Sequence, residues 1–255
     1  MSSESEPMLG SSASRKVERP QNWKEASNSG WQPPVYESET VRKQVQKDFL
    51  IKVYSILCAQ LLVTTLICSL FVFVQPVTYF VLDNIWLTLL LFIVNLFVII
   101  ALWFLKNNYP WNYVLLGVFT VSMGFMVGVT CAAYTVNGMG YNIAFAALLT
   151  LVIFVSLTMF VAVSDIDFSF LGLFLPVCLI VLLIWSLFAI IFGFQLGMLF
   201  GAIGALLFAG FIIYDTWMIM NKMGCDDYII ASIELYLDVI NLFSMLLLVM
   251  GGGDS

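Results

Sequence analysis

Residues 196–220 read LGMLFGAIGALLFAGFIIYDTWMIM, and residues 228–250 read YIIASIELYLDVINLFSMLLLVM. Each run is long enough to cross a hydrocarbon core, which takes about 20 helical residues. Each also holds an aspartate well inside it, Asp215 in the first and Asp238 in the second. A carboxylate at bilayer depth costs about 2.5–3.5 kcal/mol on insertion scales, and such residues mark ion paths and proton relays by default. The two runs therefore fix a membrane fold and point to a working acid pair within it.

Five further apolar runs precede these, at 49–74, 84–105, 111–135, 141–163 and 169–192. Backbone groups in lipid must be bonded internally, so such runs are helices or parts of a closed barrel. Continuous apolarity without alternation selects helices. The breaks carry turn signals, among them Gln75-Pro76, Asn107 to Pro110, Asn137 to Gly140, Ser164 to Asp167 and Asn221 to Asp227. The expectation is an all-α integral membrane protein with one seven-helix domain over residues 48–255. Residues 1–47 are rich in Ser, Glu, Pro, Lys and Arg, a composition that reads as a disordered tail. No cleavable signal peptide is expected, because the first apolar run begins only near Phe49.

Composition agrees: 62% of residues are hydrophobic and 10% charged, as in membrane chains. There is no histidine, and the five cysteines form no CxxC pattern, so no zinc site and no tightly bound metal is expected. Eight of the ten Lys and Arg residues lie at or before Lys52, and the others are Lys106 and Lys222. With seven spans and a cytosolic N-terminus, all ten fall on the cytosolic side, as the positive-inside rule requires. The seventh run is the weakest span, since Glu234, Asp238 and Asn241 all burden it. A re-entrant hairpin there would return the C-terminus to the cytosol.

At 1.5 Å per residue, Asp215 lies about 9 Å and Asp238 about 15 Å from the turn joining the last two runs. A tight hairpin brings the carboxyls to similar depth. Two carboxyls in one low-dielectric site do not both ionise readily, and they titrate as a coupled unit. With no histidine, any pH response in the physiological window must come from such a perturbed acid, a perturbed cysteine or the α-amino group. The bland alternative is a polar clamp between helices. Glu234, Asp238 and Asn241 share one helix face, and a stripe of oxygen ligands suits a hard cation such as calcium. Glu234 is equally well placed to snorkel to water. The aspartates at 165, 167, 226 and 227 read mainly as solvated turns and helix starts. Asn95 is a lone amide in the second run, ordinarily helix-packing glue, and Lys106 is ordinarily an interfacial anchor. Gly197, Gly201 and Gly204 form a small-residue pattern that permits close helix approach. In the tail, Pro33-Pro34-Val35-Tyr36 has the form of a ligand for a WW-domain protein.

Four stretches carry a resemblance: Phe49 to Leu57, Tyr109-Pro110-Trp111-Asn112, Gly210 to Thr216, and Leu235 to Phe243. Through them the chain resembles the Bax-inhibitor/Lifeguard family, most of all its Lifeguard branch, which includes the Golgi anti-apoptotic proteins. The resemblance implies seven helices with the last one central. It also implies a pH-sensitive calcium leak across endoplasmic reticulum or Golgi membranes, and protection from cell death. Asp215 and Asp238 fall where the family keeps a di-aspartyl pH sensor. Lys106 falls where relatives carry an arginine that pairs with that dyad, and Asn95 where some carry a glutamate. Lys in place of Arg keeps the charge but loses the two-pronged fork.

Three functions compete. The first is a cation leak channel or exchanger with calcium as the transported ion, Asp215 and Asp238 as gate, and Glu234, Asn241 and Asn95 along the path. The second is a non-conducting scaffold that binds cell-death regulators or calcium-release channels. The third is an intramembrane aspartyl protease, favoured by Tyr214-Asp215 but lacking the Gly-x-Gly before its second aspartate and a Pro-Ala-Leu motif. The expectation is a non-enzyme without cofactor, in contact with membrane lipid and calcium ions and with no nucleic-acid partner.

Overall fold

The computed structural model describes residues 39–193, 197–224 and 226–252. The chain divides into two units, Met1–Val45 and Gln46–Ser255. The tail motif at Pro33, Pro34 and Tyr36 lies outside the described residues, as does Cys225. The described residues form eight helices and no strand: α1 Glu39–Phe73, α2 Gln75–Asp83, α3 Trp86–Leu105, α4 Trp111–Val136, α5 Gly140–Val163, α6 Leu171–Phe192, α7 Met198–Asn221 and α8 Tyr228–Gly251. Seven of them, all but α2, are long and apolar enough to cross a membrane.

The elements follow from the sequence with two differences. The apolar part of α1 begins at Phe49, but the helix starts ten residues earlier, because Arg, Lys, Gln and Glu are good helix formers. The second difference is α2, which occupies what reads as a turn. Pro76 sits in its first turn, where a missing N–H costs nothing. Thr78 Oγ1 donates to Phe71 O at 2.7 Å, and Val81 packs with Phe71, Val129 and Ala132. A short helix is thereby folded back onto the α1–α4 contact.

The last helix is the centre of the bundle. In its most apolar window 56% of residues are buried, the largest share among the seven spans. It contacts α1 through Tyr236, whose hydroxyl lies 2.7 Å from Thr64 Oγ1. It meets α4 where the rings of Phe119 and Tyr236 stand 6.0 Å apart, edge to face. It meets α5 where Asn142 Nδ2 donates to Met250 O at 3.3 Å. Against α7 it packs backbone to backbone: a Cβ placed on Gly201 would lie 2.9 Å from Met245 O. Between membrane helices there is little hydrophobic drive, so close approach at small residues and interhelical hydrogen bonds carry the association. The consequence is positional, since α7 and α8, which carry the two aspartates, are held at their closest spacing.

Candidate functional site

The α7–α8 hairpin brings Asp215 and Asp238 close enough to act on each other. Asp238 is 6% exposed, Asp215 is half-buried, and Asp238 Oδ2 is buried without a hydrogen-bond partner. Glu234, one turn before Asp238 on α8, acts electrostatically on both. The charges that bear on Asp238 are those of Asp215 and Glu234, both acidic. The three carboxyls therefore form an acidic file along the hairpin. A buried oxygen without a partner costs about 1–3 kcal/mol, and such an atom in a native fold calls for a function, a water or an ion.

Beside the file lies a second polar group, one that no charge or motif in the sequence marks. The hydroxyls of Tyr54 on α1, Thr158 on α5 and Thr216 on α7 converge, and each oxygen is buried with no hydrogen-bond partner. Thr216 is fully buried. Three helices thus aim neutral oxygens at one interior spot, next in sequence to Asp215. The available signal was position: Tyr54 and Thr216 both sit in the stretches that carry the family resemblance. Single hydroxyls in apolar helices carry no charge cost, so composition alone does not flag them.

Lys106 is placed elsewhere than expected. The dyad has no pairing with it; instead Lys106 Nζ binds Asp227 Oδ1 at 2.6 Å. The reason is geometric. Lys106 ends α3 at the mouth of the bundle, and Asp227 begins α8 at that same end, whereas Asp238 lies eleven residues further along the helix. Both partners of the pair are about a third exposed, and ion pairs of that kind contribute about 0.2–1 kcal/mol. A double-mutant cycle of Lys106→Gln with Asp227→Asn should return a thermal-stability coupling in that range, reduced by salt. A comparable coupling of Lys106→Gln with Asp238→Asn would put Lys106 back on the dyad. Lys52 adds a second cation at this mouth, with Nζ 3.2 Å from the centroid of the Tyr228 ring.

The remaining candidates separate. Asn241 sits one turn beyond Asp238 on α8 and is half-buried. Asn95 is brought to α4 rather than to the carboxyls: its Nδ2 lies 3.5 Å from Met126 Sδ, and its Oδ1 is buried without a partner. In the loop between α5 and α6, the Ser169 N–H donates to Asp167 Oδ1 at 2.9 Å. That bond holds the Asp167 carboxyl below the usual carboxylate range and makes it a turn residue. Among the described residues, no three His, Cys, Asp or Glu side chains are close enough to hold a metal ion. The acidic file is a set of staggered oxygens, not a coordination cage.

Comparison with known proteins bears on the same helices. A family model described as "Inhibitor of apoptosis-promoting Bax1" matches residues 46–255. The chain is 38% identical over 233 residues to "Protein LIFEGUARD 4" of Arabidopsis thaliana, covering 88% of this chain and 92% of that protein. It is 33% identical over 221 residues to "Protein lifeguard 3" of Homo sapiens, covering 82% and 70%. It is 36% identical over 216 residues to "Bax inhibitor 1" of Schizosaccharomyces pombe, covering 82% and 78%. Seven membrane-length helices around a central last helix, matched from Gln46 onward by the family model and by relatives of similar length, make this chain a member of the Bax inhibitor/Lifeguard family.

Proposed function

We propose that the protein is a pH-sensitive calcium leak channel of an intracellular membrane, with a cytoprotective role, gated by Asp215 and Asp238. The observation that carries this reading is the acid file itself: two carboxyls that act on each other from adjacent spans, with Glu234 leading from them toward the basic mouth. Calcium takes oxygen ligands in flexible geometry, so staggered carboxyls and hydroxyls can pass it from site to site without trapping it. At low pH the two aspartates share a proton and hold α7 against α8. As pH rises that proton leaves, two negative charges face each other, and the hairpin loosens. This is a local charge change biasing a two-state element. The endoplasmic reticulum or Golgi is the membrane proposed, with the basic mouth on the cytosolic side.

The test is calcium flux into proteoliposomes holding the purified protein, over a range of pH. Flux above that of empty liposomes, rising with pH, is expected. The family description and the fission-yeast relative's name speak of inhibiting Bax, and this favours a second reading as a scaffold that binds cell-death regulators. Absence of flux at every pH would select that reading and leave the acids as a packing clamp.

A further inference from the structure

A crevice of about 500 Å³ opens in the side of the bundle. It runs between α1 and α5, from Leu61 and Phe154 at one end to Phe73 and Gly140 at the other, over a floor of α4 and α8. Its walls are almost wholly apolar, and its volume is in the range of about 300–1,000 Å³ that admits a small ligand. The flanking faces are outward and apolar, with Leu66 62% and Leu151 58% exposed. In a membrane they meet lipid, so whatever enters the crevice arrives from the hydrocarbon phase.

Two thiols line this space, Cys68 on α1 and Cys131 on α4. They line the same cavity and interact with each other, although 63 residues separate them. The packing of α1 on α4 explains the pairing independently. Gln60 Nε2 donates to Thr120 Oγ1 at 3.1 Å. One turn further, a Cβ on Gly124 would lie 3.4 Å from Thr64 Cα. One turn further again, Gly128 meets the Phe71 ring, at 2.8 Å from an added Cβ. The two helices thus approach closely at small residues, and Cys68 and Cys131 lie along this same contact, both lining the crevice. Cys131 has no exposed surface, whereas Cys68 is only partly buried. One thiol is reachable and the other waits behind it, which is the arrangement of an attacked and a resolving cysteine.

We propose that Cys68 and Cys131 form a redox-modification site, at which an organic hydroperoxide entering the crevice from the bilayer oxidises the pair to a disulfide. In the first step the Cys68 sulfur attacks the outer peroxide oxygen. The O–O bond breaks, Cys68 becomes the sulfenic acid, and the peroxide leaves as the alcohol. In the second step the Cys131 sulfur attacks the sulfenic sulfur and expels water, leaving the disulfide. Two thiols have lost two electrons and two protons, and the hydroperoxide has taken them up as alcohol and water. A dithiol reductant reverses the product by exchange. The bond would tie α1 to α4 along the wall of the crevice, so redox state sets how freely those helices part. This site is independent of the calcium reading.

The test uses the full chain in lipid nanodiscs, treated with cumene hydroperoxide, then alkylated, digested without reduction and read by mass spectrometry. The expected product is a 68–131 cross-linked peptide, lighter by two hydrogens, removed by dithiothreitol and lost completely in Cys131→Ser. It should form faster than with hydrogen peroxide, which partitions poorly into lipid. Cys58, an exposed thiol on α1, is the internal control, and it should remain alkylatable while the pair closes. Copper-phenanthroline oxidation serves as a separate check of proximity. Cross-linking by copper-phenanthroline but not by the hydroperoxide overturns the site as a peroxide-responsive one. No cross-link under either treatment overturns the pairing, and consumption of Cys58 ahead of the pair overturns its selectivity.

Discussion

In the Asp215→Asn/Asp238→Asn double variant, calcium flux should lose its dependence on pH. The wild-type switch draws on the repulsion between two neighbouring carboxylates. Two unit charges about 4 Å apart repel by about 4 kcal/mol at an effective dielectric near 20. Carrying a two-state equilibrium from 1:99 to 99:1 takes about 5.5 kcal/mol, so the dyad supplies most of a full switch. Amides at both positions keep the size and hydrogen-bonding capacity but never acquire the charge, so the hairpin stays in its low-pH form at every pH. Each single variant should do nearly as much as the double, because residues acting as one coupled unit are not additive. Glu234→Gln should lower flux and keep its pH dependence, since Glu234 stands beside the pair without sharing its proton. A double variant whose flux still rises with pH would remove the dyad from the gate.

The spans, and the acids upon them, were legible because both signals are local and costly. An apolar run of membrane length has few alternatives, and an aspartate inside one is flagged by its own desolvation. Even the α7–α8 contact was legible, because the short turn from Asn221 to Asp227 makes the last two runs a tight hairpin. What stayed hidden depends on how each helix is rotated about its axis. That rotation decides that Lys106 meets Asp227 rather than Asp238. It also turns Tyr54, Thr158 and Thr216 toward one point and faces Cys68 to Cys131. In a uniformly apolar helix such as α5 or α7, no amphipathic stripe records the rotation, and a hydroxyl or thiol carries too little polarity to mark a face. The short helix α2 escaped for a different reason: nine residues are too few for periodicity to show, and Pro76 reads as a turn until its place in a first turn is seen.

A methyl group at Gly201 should damage the protein more than the same group at Gly204, three residues away. At Gly201 the added carbon would sit 2.9 Å from Met245 O and 3.1 Å from Val249 N, both backbone atoms of the central helix. These cannot yield without moving α8 itself. At Gly204 the nearest atoms are Met245 Sδ at 2.5 Å and Cγ at 2.8 Å, the outer part of a flexible side chain that can swing aside. Overpacking of the first kind costs about 1–3 kcal/mol. Gly201→Ala should therefore lower the Tm of the purified protein clearly below that of Gly204→Ala. Gly117→Ala, at a site with no atom within 4 Å, should match or exceed wild type, because alanine favours the helix by about 1 kcal/mol over glycine. The displacement also has a functional sign. Moving α7 off α8 draws Asp215 away from Asp238, weakens their coupling, and raises calcium flux at low pH, where the wild-type hairpin is shut. If Gly201→Ala melts with Gly117→Ala and keeps the wild-type pH profile, the α7–α8 contact is not what holds the acid pair together.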